Sequence, residues 1–292
     1  MRTQQLFVKS CPCLLILIST TVFAQNDAPS NENRASMIPS DSTEVVLQRF
    51  VNECVAIKPG EQNFSQKFSI GSQSPAKHEL AFREAGIAVD FQISKYETTQ
   101  ELYQVVMGRN PSRWKGPRNS VENVRFTDAE QFCQKLSVLL RSKQLIAQND
   151  LVRLPTALEW EYCCRAGSTT RYSFGDSAGG DGENSGTKIL NTYAWHTGNA
   201  AGNDPAVGIL KPNAWGLYDF HGYLSEFVSG SDPSTAEEQG EQRMIRGGSW
   251  KDKHPRLSSS AYFLIPDDGA DDAIGFRCVI SDQPMVKKPS GQ

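Results

Sequence analysis

Cysteine is the first residue type to weigh, because a thiolate is at once a nucleophile, a redox centre and a soft metal ligand. The chain has seven: Cys11 and Cys13 ahead of an apolar run, then Cys54, Cys133, Cys163, Cys164 and Cys278. None are spaced Cys-x-x-Cys, and the four histidines, His78, His196, His221 and His254, are scattered, so no zinc-site spacing exists. Adjacent Cys163 and Cys164 could exchange electrons, but on a helix they point different ways, and core packing is the favoured reading. Among the aromatics, Trp215, Trp250 and Tyr262, together with Ser249, are the residues that could line a site for a peptide or small ligand. Trp215 serves equally well as core. Asp219 and Glu226 flank a glycine-containing turn and by themselves read as solvated carboxylates.

Several elements must position these groups. Val46, Leu47, Phe50, Val51 and Cys54 recur at three- and four-residue steps, which predicts a short amphipathic helix over 42–54. A β-type region follows through Tyr96, and residues 98–106 read as a helix ended by Gly108-Arg109-Asn110-Pro111. Thr127 with Glu130 makes a capping box for a helix lined by Ala129, Phe132, Cys133, Leu136, Leu139 and Leu140. Thr156 with Glu159 repeats that box, and Gly167 supplies the stop. Residues 168–213 are dominated by Gly, Asn, Asp, Ser and aromatics, the composition of long ordered loops. Short strand signals return at 244–250, 259–265 and 275–280.

The 292 residues carry a formal charge of −3, with basic residues not gathered into a stripe, which argues against nucleic acid or an anionic membrane as partner. Hydrophobic residues at 38% permit a sizeable core, while 23 Gly and 15 Pro suit a loop-rich fold rather than a helical bundle. Arg2 and Lys9 precede a short apolar stretch over 13–24, which falls short of the ~20 residues a spanning helix needs. This is the layout of a secretory signal peptide cleaved after Ala24, implying a secreted or periplasmic protein. No other segment is apolar enough to span a membrane. Cleavage leaves 28 basic against 33 acidic residues, a charge of −5, and five cysteines, an odd number that leaves one thiol unpaired whatever the bridging. Residues 25–41 read as a polar linker and 282–292 as a disordered tail.

Five blocks in order resemble the formylglycine-generating enzyme, or sulfatase-modifying factor, family. They are Tyr96-Glu97-Thr98-Thr99 with Asn110-Pro111-Ser112, Arg153-Leu154-Pro155-Thr156-Ala157-Leu158-Glu159-Trp160-Glu161-Tyr162, Pro212-Asn213-Ala214-Trp215-Gly216-Leu217-Tyr218-Asp219, Arg246-Gly247-Gly248-Ser249-Trp250, and Gly275-Phe276-Arg277. The resemblance covers about residues 55–281. It implies an α+β fold, a single C-type-lectin-like domain with little regular secondary structure. It also implies protein oxidation, the conversion of a sulfatase cysteine to formylglycine.

Two departures bear on that activity. The family's oxygen-dependent oxidases carry a copper(I)-binding cysteine pair soon after the Gly-Gly-Ser block. In this chain the family cysteine positions fall within the stretch from Lys251 to Ser260, which reads Lys-Asp-Lys-His-Pro-Arg-Leu-Ser-Ser-Ser, and no cysteine lies between Cys164 and Cys278. No catalytic residue is therefore assigned, copper is not expected, and a divergent or non-catalytic member follows. The alternative is a ligand- or protein-binding module on a lectin-like scaffold, its partner a protein, peptide or small molecule. Secondly, Ser225 stands where the family has tryptophan, altering a wall of the groove. The resemblance further implies a structural calcium ion held by Asp219, the carbonyls of Gly222 and Leu224, and Glu226, since calcium takes hard oxygen ligands from a turning backbone.

Overall fold

Helix starts follow from side chains that can take up the unpaired amides of a first turn. In α4 (Ala157–Arg165) the Thr156 hydroxyl accepts the Glu159 N–H at 3.1 Å, and the Glu159 carboxylate accepts the Thr156 N–H at 2.8 Å. The same logic starts α2 (Gln100–Met107) at Thr99, and Gly108 at φ +72° ends it. Helix α1 spans Ser40–Asn52, taking in two residues expected in the linker and stopping short of Cys54. Cys54 instead opens strand β1 (Cys54–Ile57). Helix α3 (Phe126–Ser142) starts earlier than Thr127, at Arg125, whose N–H is accepted by Asp128 at 3.2 Å. The reason is packing: the buried Phe126 ring meets Phe227 edge-on at 5.6 Å, which draws residue 126 into the first turn. At the end of α4 Ala166, not Gly167, is the first left-handed residue, at φ +48°.

The computed structural model describes residues 40–61, 63–179, 188–202, 204–230, 232, 235 and 241–282. The expected signal peptide, nearly all of the linker and residues 283–292 lie outside these. All described residues belong to one unit, Ile38–Gln292. Among them no helix is long and apolar enough to cross a membrane.

One sheet has the order β1, β4 (Phe91–Ser94), β10 (Val279–Ser281), β5 (Leu151–Arg153), all antiparallel. A second has the order β8 (Tyr262–Ile265), β7 (Arg243–Arg246), β6 (Ser225–Phe227), β9 (Ile274–Gly275), with β6 and β9 parallel. β2 (Lys67–Ile70) and β3 (Arg83–Gly86) pair as a hairpin. One apolar core holds α1, α2 and α3 against the sheets through Leu47, Tyr103, Phe132, Leu136, Phe227 and Phe276. The other gathers Ile70, Ile93, Trp160, Cys163, Cys164 and Met244 around α4. Short elements and long loops make the α+β fold that the composition and the resemblance imply.

Candidate functional site

The motif residues that carry the family resemblance turn out to be a buried ionic frame. Arg153 and Glu159 form a two-pronged pair, both contacts at 2.7 Å. Glu161, fully buried, accepts from Arg246 at 2.6 Å, from Arg165 at 2.8 Å and from the Gly71 amide at 2.7 Å. Glu226, also fully buried, accepts from Arg277 at 2.7 and 2.6 Å and from the Trp160 indole at 2.8 Å. The Arg246 and Arg277 pairs each tie blocks distant in sequence. Removing one partner of such a pair strands a charge in the interior.

The segment that follows Arg246 is anchored by polar contacts where a thiol pair would have to stand. The Ser249 hydroxyl donates to Asp252 at 2.7 Å, Asp252 pairs with Arg256 at 3.0 Å, and Lys251 pairs with Asp271 at 2.6 Å and with Asp272. Ser249, Lys251, Asp252 and Arg256 line a wide, open cleft with Ser225 and His78. The far end of the stretch turns away from that cleft. Ser258, Ser259 and Ser260 are all buried, and the Ser258 hydroxyl donates to Glu79 at 2.6 Å. The Ser260 hydroxyl lies 3.5 Å from that of Ser258, and the Ser260 carbonyl accepts the Leu80 amide at 3.0 Å. Lys251 and Ser260 thus bound a stretch that divides between surface ion pairs and buried backbone support. The cleft receives no nucleophile from its serine end.

Thiols elsewhere are no substitute. Cys133, Cys163, Cys164 and Cys278 are buried and Cys54 is half-buried, and all five are free. Burial pushes the Cys133 and Cys163 thiols well up, and that of Cys164 to about 12. Cys164 lies 3.7 Å from His221, a spacing that invites comparison with a cysteine–histidine dyad. The electrostatics run the wrong way for one: burial lowers the imidazole to about 4 while the thiol is raised, so both stay neutral. His221 is held by Ser173 at 3.0 Å and the Leu257 carbonyl at 2.8 Å.

At the turn that the resemblance assigns to calcium, Asp219 (φ +61°), Gly222 (φ +137°) and Tyr223 (φ +70°) all have left-handed backbone. A Cβ on Gly222 would lie 2.3 Å from the Trp195 carbonyl oxygen, so only glycine fits. Asp219 accepts the Gly208 amide at 2.8 Å, and Glu97 beside it accepts the Leu224 amide at 3.1 Å and the Ser120 hydroxyl. Glu226 does not fit a calcium shell here, because both its oxygens are held by Arg277 and Trp160 and its charge is already matched. Among the described residues no three His, Cys, Asp or Glu side chains are grouped to hold a metal. Burial instead raises the Asp219 carboxyl to about 6 and Glu97 well above its ordinary range.

The four ligand candidates do not converge. Trp215 packs between Phe64 and Tyr162, each at 4.8 Å, and Tyr262 is buried in the α4 core. Ser249 faces the open cleft and Trp250 faces a different cavity. That cavity, about 190 Å³, is ringed by Trp114, Trp195, Tyr223 and Trp250, with Glu122, Asp204 and Asp272 between them. Backbone bonds fix the ring: Tyr223 N–H donates to Trp195 O at 2.9 Å, and Trp250 N–H donates to Tyr223 O at 2.9 Å. The Tyr223 hydroxyl donates to Pro205 O at 2.6 Å, and the Trp250 indole to Asp272 O at 3.1 Å. The sequence reading found Trp250 alone, since the other walls come from separate loops with no shared spacing.

The sequence and the fold match known proteins. The sulfatase-modifying factor enzyme 1-like domain matches residues 42–282, and the chain belongs to that family. A curated relative, the chaperone protein LppX of Paenibacillus barcinonensis, is 31% identical over 197 residues, 55% of this chain and 69% of that protein. Two solved structures share the fold. Treponema denticola variable protein 1 has a TM-score of 0.62 at 24% identity, covering 77% of this chain and 94% of its own. PvdO from Pseudomonas aeruginosa has a TM-score of 0.62 at 23% identity, covering 78% of this chain and 94% of its own.

Proposed function

We propose that this protein is a ligand-binding member of the sulfatase-modifying factor family that does not generate formylglycine, and that its site is the cavity between Trp114, Trp195 and Trp250. The observation that carries the reading is the stretch from Lys251 to Ser260. It contains no thiol, and Lys251, Asp252 and Arg256 are committed there to ion pairs. Soft copper(I) needs sulfur, which serine hydroxyls do not replace. A concave, aromatic-lined cavity with a few polar groups is the usual form of a small-ligand or side-chain site. The name of the LppX relative, a chaperone, supports including a protein partner among the candidates. Export, with removal of residues 1–24, belongs to this proposal and is supported by the basic start and short apolar run.

The test is mass spectrometry of a Cys-x-Pro-x-Arg peptide incubated with the protein, copper and air. The peptide is expected to come back unchanged. Loss of the mass that separates a thiol from an aldehyde would overturn the proposal. Protein recovered from native cells is expected to begin near Gln25.

A further inference from the structure

We infer that the Trp114–Trp195–Trp250 cavity binds a protonated amine, with the ammonium group at Glu122 and its alkyl part among the indoles. This rests on the cavity being the ligand site proposed above. Glu122 is 4% exposed, yet only Oε1 is used, accepting the Arg113 amide and, at 3.2 Å, the Trp114 amide. Oε2 is buried with no hydrogen-bond partner, and Glu122 is one of the residues that line the cavity. A buried carboxylate oxygen left unpaired keeps its desolvation cost uncompensated, so a donor placed there is strongly rewarded.

Charge points the same way. Three carboxylates line the cavity and no Lys or Arg does. Asp272 is already matched by Arg113 at 3.1 Å and by Lys251. Glu122 has no cation partner among the described residues, and Asp204 is met only by the neutral Asn119 amide. The indole faces suit a cation as well. Arg113 already lies over Trp114 at 4.7 Å and Lys251 over Trp250 at 5.2 Å, neither of them lining the cavity. The Trp195 indole N–H, also on a lining residue, is buried without an acceptor. A volume of about 190 Å³ accepts an alkylamine or one lysine side chain but not a folded segment.

The experiment follows the indole N–H signals of the full chain by NMR, five in number, while probes of matched size are titrated. Butylammonium stands for a free amine and Nα-acetyl-lysinamide for a lysine of a partner, and 1-butanol and butyrate are the neutral and anionic controls. The cations are expected to shift the Trp114, Trp195 and Trp250 signals but not those of Trp160 and Trp215, and to bind at least tenfold tighter than the controls. Whichever cation binds tighter identifies the source. Glu122→Gln keeps the Oε1 acceptor for the two amides and removes the charge, and should weaken the cations at least tenfold. Trp195→Phe, which preserves the ring, serves if Glu122→Gln does not fold. Butanol or butyrate binding as tightly as the cations, or undiminished binding in Glu122→Gln, overturns the amine inference and leaves the ligand-binding reading standing. No response to any probe overturns the inference and the assignment of the cavity as the site, whereas an oxidised cysteine peptide overturns the non-oxidase reading alone.

Discussion

Asp219→Asn separates two ways of using the turn at residues 219–226. In the structure Asp219 is buried and meets one amide, and burial lifts its carboxyl from 3.8 to about 6. An acid with a raised folded value holds its proton while the unfolded chain has released it. Stability therefore falls as pH rises from 3.8 to about 6, by about 1.4 kcal/mol per pH unit, or about 3 kcal/mol in all. Asparagine keeps an oxygen for the Gly208 amide and cannot ionise. Its new N–H donors need partners, at about 1–2 kcal/mol. The net expectation is a variant more stable than the parent by about 1–2 kcal/mol at pH 7.5, the advantage vanishing at about pH 5 and reversing to a deficit of about 1–2 kcal/mol at the acid end.

Urea unfolding at several pH values measures this as a difference between the two proteins. The difference is needed because His221 contributes the opposite trend. Its imidazole, lowered from 6.5 to about 4, supplies stability that is full above 6.5 and lost as pH falls toward 4. If Asp219→Asn were instead destabilised at pH 7.5, and more so with calcium present, the carboxylate charge would be serving a bound cation. The assignment of both Glu226 oxygens to Arg277 and Trp160 would then be wrong.

Chelator and added calcium are expected to leave the melting temperature of the parent unchanged, since Arg277 already satisfies Glu226; a rise with calcium would show the turn rebuilding around the ion. Arg277→Met leaves Glu226 buried and unmatched, and should cost about 3–5 kcal/mol in urea, part of it recovered by adding Glu226→Gln. Gly222→Ala forces a side chain into a left-handed turn and against the Trp195 carbonyl, at about 1–3 kcal/mol for the backbone strain alone, with loss of the Trp195 indole shift on ligand addition. Alkylation followed by peptide mapping should leave Cys133, Cys163, Cys164 and Cys278 unmodified in the native protein and modify all of them in denaturant.

What the sequence made legible was the frame. Capping residues such as Thr156 and Glu159 act locally, so their spacing is sufficient to place a helix. The family blocks hold buried Arg–Glu pairs whose members cannot be removed singly without stranding a charge, and they implied the fold correctly. The same blocks say less about the site. Trp215 and Tyr262 sit within or beside them yet pack into the core, and Glu226 serves Arg277. The cavity was illegible for the converse reason. Trp114, Trp195 and residues 200–205 lie on loops whose meeting depends on single long-range bonds, such as Tyr223 N–H to Trp195 O, which leave no period in the sequence. Glu122 carries no signal at all until its unpaired oxygen is seen.

The placement of β10 has a consequence for how the chain is made. Val279–Ser281 is the last strand described, yet it lies between β4 and β5, and pairs with both. Without it, β4 has only β1 beside it and β5 has no sheet to join. Arg277, which quenches Glu226, arrives at the same moment. The domain therefore cannot be built piecemeal from its front end: it closes late, in a step that draws in residues synthesised far apart, the topology that slows folding. Loss of Val279–Ser281 alone therefore removes the keystone of this sheet rather than a fringe.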